Sequence, residues 1–98
     1  ADAAYREAAH LAPRDPDPPN GLGVVALEMG ALSAAETFFR QALALDPAFD
    51  EAKLNLAVAL SRKGAITEAR ALLAQVVRAG STPALRGRAQ HLLAGLPR

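Results

Sequence analysis

The sequence contains no cysteine and few aromatic side chains. The lack of cysteine excludes disulfides, thiolate metal ligands and thiol chemistry, and it assigns no compartment. Aromatic residues make up 4% of the 98 residues, which is little material for the core of a β-sandwich. The longest apolar runs, such as residues 22–27, are far shorter than the roughly 20 residues that cross a bilayer. We therefore expect no membrane insertion.

An excess of charge of one sign is also missing. Eleven Lys and Arg residues stand against ten Asp and Glu residues, interspersed along the chain, for a net charge of +1. A nucleic-acid partner calls for a basic patch or stripe, and none is visible, so we expect no nucleic acid among the partners. Alanine raises the apolar fraction to 51%, which suits helices that approach one another closely. Composition and length thus favour one small all-α domain.

An internal repeat is the strongest positive signal in the chain. The segment 33–47 recurs in altered form once before and once after itself, at one fixed spacing, which indicates a repeat array. Its small, aromatic and proline positions are Ala35, Phe39, Ala42, Leu45 and Pro47. The earlier copy holds Ala1, Tyr5, Ala8, Leu11 and Pro13, and the later copy holds Ala69, Leu73, Val76, Ala79 and Ser81.

A second motif lies between these copies and repeats at the same spacing. Its members are Leu22, Gly23, Ala26 and Gly30, which recur as Leu56, Ala57, Leu60 and Gly64. A Leu-Gly pair, a small residue followed by an aromatic four positions later, and a closing proline together resemble the tetratricopeptide repeat (TPR). The resemblance implies an all-α, right-handed superhelical stack of antiparallel helix pairs, with about six helices in this chain.

The repeat register predicts how the chain is divided. We expect a single TPR-like domain over 1–98, composed of the second helix of a truncated repeat over 1–13, repeats over 16–49 and 50–82, and a C-terminal capping helix over 83–98. Apolar spacing predicts helices over about 1–12, 18–29, 33–45, 49–63, 67–79 and 83–95. The opening residues resemble the middle of a repeat array, so we expect the chain to be a fragment of a longer protein.

Capping residues predict where several helices begin and end. Asp17 is expected to cap the helix that starts with two prolines, and Ser33 with Glu36 is expected to form a capping box. Gly30 and Gly64 are expected to end the first helix of each repeat. The small residues Gly23, Ala35, Ala57 and Ala69 are expected at the closest helix crossings, with Phe39 and Leu73 filling the space between helices.

No group of residues predicts catalysis. Residues 21–26 match a G-x-G-x-x-A dinucleotide fingerprint, but the fingerprint needs a preceding strand, and prolines precede it here. His10 and His91 lie in different predicted helices without a nearby acid, and no metal-ligand spacing occurs. We therefore predict a non-enzymatic protein with no catalytic residue, no cofactor and no metal.

The resemblance implies that the first helix of each repeat lines a concave groove that binds a partner's peptide or helix. The implied peptide-binding residues are Asn20, Val24, Leu27, Glu28, Leu54, Asn55, Val58, Ser61, Arg62, Arg88 and His91. The alternative is that the apolar members, Val24, Leu27, Leu54 and Val58, pack against adjacent helices.

One subgroup of the family grips a C-terminal carboxylate with lysine, asparagine and arginine. Asn55 and Arg88 occupy two matching positions here, whereas Asn20, Val24 and Ala84 occupy the others. We therefore expect an apolar or mixed peptide, docked as a helix or an extended segment.

The predicted function is a protein–protein interaction module within a larger assembly or scaffold protein. Richness in alanine and arginine suits a high-GC bacterium, and the sequence weakly resembles repeat segments of bacterial pilus or secretion assembly proteins. The alternative function is homo-oligomerisation through the open face of the N-terminal helix.

Overall fold

The computed structural model describes residues 15–97, and this part of the chain folds into helices without strands. Its helices are α1 (Asp17–Glu28), α2 (Leu32–Leu45), α3 (Asp50–Lys63), α4 (Ile66–Ala79) and α5 (Pro83–Ala94). Each helix packs against the next one along the chain. The prediction of an all-α, TPR-like stack of helices is confirmed. The helix predicted over 1–12 lies outside the described residues.

The helix boundaries follow the repeat read from the sequence. Leu32 and Leu45, the bounds of α2, correspond in the repeat register to Ile66 and Ala79, and these are the bounds of α4. The predicted bounds of all five described helices agree with the observed bounds to within one position. The division of the chain into repeats over 16–49 and 50–82 stays a prediction.

The first helices lie closer to one another than the second helices do. Cα atoms of α1 and α3, and of α3 and α5, come within 8 Å of each other, whereas α2 and α4 make no such approach. Side chains alone connect α2 to α4. The first helices α1, α3 and α5 therefore form the inner side of the stack, and α2 and α4 form the outer side.

Small residues occupy the closest helix crossings, as predicted. Ala35 and Ala69 are completely buried, and Phe39 and Leu73 fill the neighbouring space with at most 2% of their surface exposed. A Cβ atom added at Gly23 would lie 2.8 Å from Cζ of the Phe39 ring and closer still to two other ring carbons. No side chain fits between α1 and the ring without separating the helices. Burying each large side chain contributes roughly 1.5–3 kcal/mol.

The N-termini of α1 and α2 differ from the predicted caps. Asp17 is the first helical residue rather than the cap, and its N–H donates to the Asp15 carboxylate at 2.9 Å. An N-cap side chain bonds the N–H two or three positions on. Pro19 has no N–H at the first of these positions, so Asp17 gains little by capping.

The predicted capping box of α2 is wrong. The helix begins at Leu32, one position earlier than predicted, and neither Ser33 nor Ala31 caps it with a side chain. The Glu36 carboxylate instead accepts hydrogen bonds from Arg40 at 3.0 Å and Lys63 at 2.8 Å. Ser33 therefore lies inside the first turn, and ion pairs draw Glu36 away from the helix terminus.

The glycine stops are as predicted, and a threonine caps the last helix. Gly30 has φ 78° and Gly64 has φ 90°, values at which a side chain strains the backbone. The Thr82 hydroxyl accepts the N–H of Leu85 at 3.1 Å and caps α5. Asp50 accepts the N–H of Ser81 at 2.8 Å, which fastens the start of α3 to the loop before α5.

An ion-pair network joins the outer helices. Arg40 of α2 reaches Glu68 of α4 at 2.6 Å, while Lys63 at the end of α3 reaches Glu36. Hydrogen bonds from Lys63 and Arg40 lower the pKa of Glu36, and hydrogen bonds to Glu68 and Glu36 raise the pKa of Arg40. These groups are largely exposed, so each pair contributes at most about 1 kcal/mol.

We expect Gly23→Leu and Ala69→Arg each to lower the melting temperature by more than about 10 °C, because overpacking or an unpaired buried cation costs about 3 kcal/mol or more. Each kcal/mol shifts the midpoint of a small domain by about 4–8 °C. Ala71→Arg on the exposed side of α4 is the matched control and should change the midpoint little. Thermal unfolding followed by circular dichroism checks this. An unchanged midpoint for Ala69→Arg would show that the crossing lies elsewhere.

We expect Glu36→Gln to lower the free energy of unfolding by up to about 1 kcal/mol at neutral pH. The pKa of Glu36 is depressed below its ordinary value of 4.5 in the folded state. Its stabilisation is therefore present above that ordinary value and is lost as the pH falls through the folded-state pKa. Urea unfolding of both proteins should show a difference at neutral pH that disappears in acid. A difference that persists in acid would contradict the ionic origin.

Candidate peptide-binding surface

The predicted site residues all lie on the inner helices. Four are on α1, five are on α3 and two are on α5. We call this side of the stack the inner surface; its members on these helices are Asn20, Val24, Leu27, Glu28, Leu54, Asn55, Val58, Ser61, Arg62, Arg88 and His91.

The apolar members differ in accessibility. Leu54 is completely buried in the core, so its side chain cannot meet a partner, and the packing interpretation holds for this residue. Val24 and Leu27 are partly buried and pack against the core while keeping an exposed edge. Val58 is also partly buried, and it lines an open cleft. The sequence left both interpretations of Leu54 open because Leu54 and Val58 lie one turn apart on the same helix.

An amide pair joins α1 to α3 on the inner surface. Asn55 Nδ2 donates to Asn20 Oδ1 at 3.2 Å. The pair is half-buried, and no described buried side-chain nitrogen or oxygen lacks a partner. This bond leaves the Asn20 amide nitrogen and the Asn55 amide oxygen as a donor and an acceptor beside each other.

A cleft between α3 and α5 brings four of the predicted residues together. Its first part has a volume of about 230 Å³ and is lined by Ala57, Val58, Ser61, Leu73, His91, Leu92, Gly95 and Leu96. Its second part has a volume of about 340 Å³ and is lined by Val58, Gly87, Arg88, His91 and Leu92. Because Val58, His91 and Leu92 line both parts, we treat them as one α3–α5 cleft.

Six lining residues were not among the predicted site residues: Ala57, Leu73, Gly87, Leu92, Gly95 and Leu96. Leu92 on α5 and Leu96 just after it each keep an exposed edge in the cleft. Nothing lies within 4 Å of a Cβ built at Gly87, so its missing side chain leaves the second part open. The terminal helix does not repeat the motif of α1 and α3, and the register therefore offered no template for these positions.

A family model for the tetratricopeptide repeat matches residues 26–96. The chain belongs to the tetratricopeptide repeat family. No curated protein matches its sequence. The repeats of this family are protein–protein interaction modules, and this is the class of function of the chain. Members of the family are typically non-enzymatic.

The charges on the inner surface of this TPR protein are unevenly placed. Glu28 lies at the end of α1, whereas Arg62 lies in the last turn of α3 and both Arg88 and His91 lie on α5. Helix α5 carries no acidic residue between Pro83 and Ala94. The acidic side of the surface is thus on α1, and the basic side borders the α3–α5 cleft.

Within residues 15–97, the glycine fingerprint and the His, Asp and Glu side chains do not assemble a nucleotide or metal site. The glycine fingerprint lies within α1 and does not form a strand-to-helix turn. Residues 15–97 contain no cluster of His, Asp and Glu suited to a metal ion. None of the five described helices has the length and apolar character needed to cross a bilayer.

Proposed function

We propose that the inner surface binds a segment of a partner protein and that the α3–α5 cleft receives an apolar side chain of that segment. The observation that carries this proposal is the open apolar cleft lined by Val58, Leu92 and Leu96 on the inner side of the stack. The residues proposed to contact the partner are Asn20, Val24, Leu27, Glu28, Asn55, Val58, Ser61, Arg62, Arg88 and His91.

The open shape of the α3–α5 cleft supports a peptide side chain over a small-molecule ligand. Its two parts measure about 230 and 340 Å³ and are open to solvent, whereas small-ligand pockets enclose most of the ligand's surface. The cleft is shallow and borders further inner-surface residues on α3. A side chain that projects from a longer segment fits such a cleft, because the rest of the segment can contact the surface around it.

The amide pair supports contacts to the partner's main chain. Asn20 offers a donor and Asn55 an acceptor at adjacent points, which matches the N–H and C=O groups of an extended segment. Their mutual hydrogen bond fixes both side chains before binding, which lowers the entropy cost of association. The exposed edges of Val24 and Leu27 continue the apolar surface along α1.

We further propose that the chain serves as a non-enzymatic scaffold within a larger bacterial assembly protein. The family assignment supports the scaffold role. Nine arginines against two lysines, together with abundant alanine, support a high-GC bacterial origin.

We expect Val58→Glu to abolish binding of peptides that the wild-type chain selects from a displayed library of random short peptides. A carboxylate in the apolar cleft should weaken their binding by at least about tenfold. Gln75→Glu adds the same charge to an exposed site on α4 and is the matched control. Peptides that bind Val58→Glu as tightly as the wild type would show that binding occurs elsewhere. Thermal unfolding should confirm that both variants fold.

A second candidate function is homo-oligomerisation. The N-terminal helix face predicted for it lies outside the described residues, and an apolar surface at the α1–α2 end of the described helices favours it. Met29 is 77% exposed. It borders a cleft of about 190 Å³ that also includes Val25, Ala34 and Phe38. An apolar cleft at the end of a helical stack suits a further helix, including one from a second copy of the chain.

If this end drives self-association, the molar mass by light scattering should rise with protein concentration, and Met29→Lys should abolish the rise. Leu45 is the other large exposed apolar residue of the described chain, and Leu45→Lys is the matched control. A mass that stays monomeric at all concentrations would exclude this candidate.

A further inference from the structure

We infer that the segment bound at the α3–α5 cleft is acidic, with an apolar side chain seated in the cleft and Asp or Glu side chains on either side of it. This inference rests on the proposed function and specifies the chemistry of the partner.

Residues of basic type border the cleft, and the fixed charges among them are those of arginine. Arg88 and His91 line it, and Arg62 follows the lining residue Ser61 on α3. No acidic residue lines either part of the cleft. The inner-surface acid, Glu28, lies on α1, which does not line the cleft, and Asp50 lies in the first turn of α3, where it accepts the N–H of Ser81.

The arginines beside the cleft differ from three others in the described chain. Arg40 pairs with Glu36 and Glu68, Arg70 donates to the carbonyl oxygen of Pro97 at 2.6 Å, and Arg86 donates to that of Gly80 at 2.7 Å. Like Arg78 on α4, Arg62 and Arg88 have guanidinium groups that make no hydrogen bond or ion pair with residues 15–97. Both are exposed. Their guanidinium groups are therefore available to carboxylates of a partner.

Because the cleft lining is apolar, the partner segment must carry an apolar side chain as well as acidic ones. Val58, Leu92 and Leu96 form the walls, and the buried Leu73 closes the inner end. The stretch of α5 from Gly87 to Gly95 extends roughly 12 Å at about 1.5 Å per residue. A segment lying along it can place one leucine-sized side chain in the cleft and carboxylates near both Arg88 and His91.

Side-chain carboxylates explain the arrangement better than a chain terminus does. The basic groups come from two helices, and Arg88 and His91 lie about one turn apart on α5. One terminal carboxylate cannot reach all of them, whereas successive Asp or Glu side chains can. A nucleic acid fits less well, because no Phe, Tyr or Trp lines the cleft for base stacking.

The test compares fluorescein-labelled synthetic peptides on the full 98-residue chain by fluorescence anisotropy. Each peptide is a dodecamer with an acetylated N-terminus and an amidated C-terminus, with Leu at every fourth position and Glu, Gln or Lys elsewhere. A fourth peptide keeps Glu and replaces Leu with Ala. The Glu-Leu peptide should bind at least about fivefold more tightly than the Gln-Leu peptide. It should also bind about tenfold more tightly than the Glu-Ala peptide, and its affinity should fall as the salt concentration rises.

Reversing the charge at Arg88 tests whether the preference for an acidic peptide arises at the α3–α5 cleft. Arg88→Glu should remove the preference for the Glu-Leu peptide and shift it toward the Lys-Leu peptide. Arg78→Glu on the exposed side of α4 is the matched control and should keep the acidic preference. An acidic preference that survives Arg88→Glu would overturn the placement of the acidic segment in this cleft.

The remaining outcomes separate this inference from the proposed function. Equal binding of the Gln-Leu and Glu-Leu peptides overturns the acidic chemistry. So does a labelled single-stranded oligonucleotide that binds as tightly as the Glu-Leu peptide. Suppose that none of the synthetic peptides binds, but library-selected peptides bind the wild type and not Val58→Glu. The acidic inference then fails and the proposed function stands. If the library-selected peptides also bind the Val58→Glu variant, both the acidic inference and the proposed function fail.

Discussion

The close contact between Gly23 of α1 and the ring of Phe39 in α2 sets the geometry of the first helix pair. The ring lies where a Cβ atom of residue 23 would be, so the two backbones approach to the limit that a hydrogen side chain allows. Ala57 takes the place of Gly23 in the next pair, and Leu73 takes the place of Phe39; both are buried. In the second pair, Leu73 is smaller than Phe39 and Ala57 is larger than Gly23. These opposite changes in side-chain size keep the spacing of the two pairs similar.

This spacing determines which helices form the inner surface. Because α1 and α2 cross closely, the next pair can stack against them with its first helix beside α1. The outer helices remain further apart, and only long side chains such as Arg40 and Glu68 connect them. The inner surface thus results from packing between the inner and outer helices. Its width depends on the alanine and glycine residues at those contacts, although these residues touch no partner.

Charge is distributed along the same division between the two sides. Around the outer helices, Arg40, Glu36 and Glu68 pair with one another and with Lys63 at the end of α3. On the inner side, Arg62 and Arg88 have no such partner within residues 15–97, and they border an apolar cleft. A nearly neutral composition therefore conceals a local excess of positive charge, since net charge averages over surfaces that face different directions.

The sequence alone determined the helices, their order and the small residues at their crossings, because each depends on local spacing that recurs from one repeat to the next. Helical periodicity also put Val58, Ser61, Arg88 and His91 on faces that the structure brings together at one cleft. The sequence left Leu54 open between packing and binding, misplaced the α2 cap and did not point to Gly87. Each of these outcomes depends on neighbours distant in sequence. They decide how deeply a residue is buried within a helix face, whether an ion pair competes with a cap, and where a cleft forms against a terminal helix that does not repeat the motif. Only the tertiary structure brings those neighbours together, and it therefore decided where the cleft opens and which charges border it.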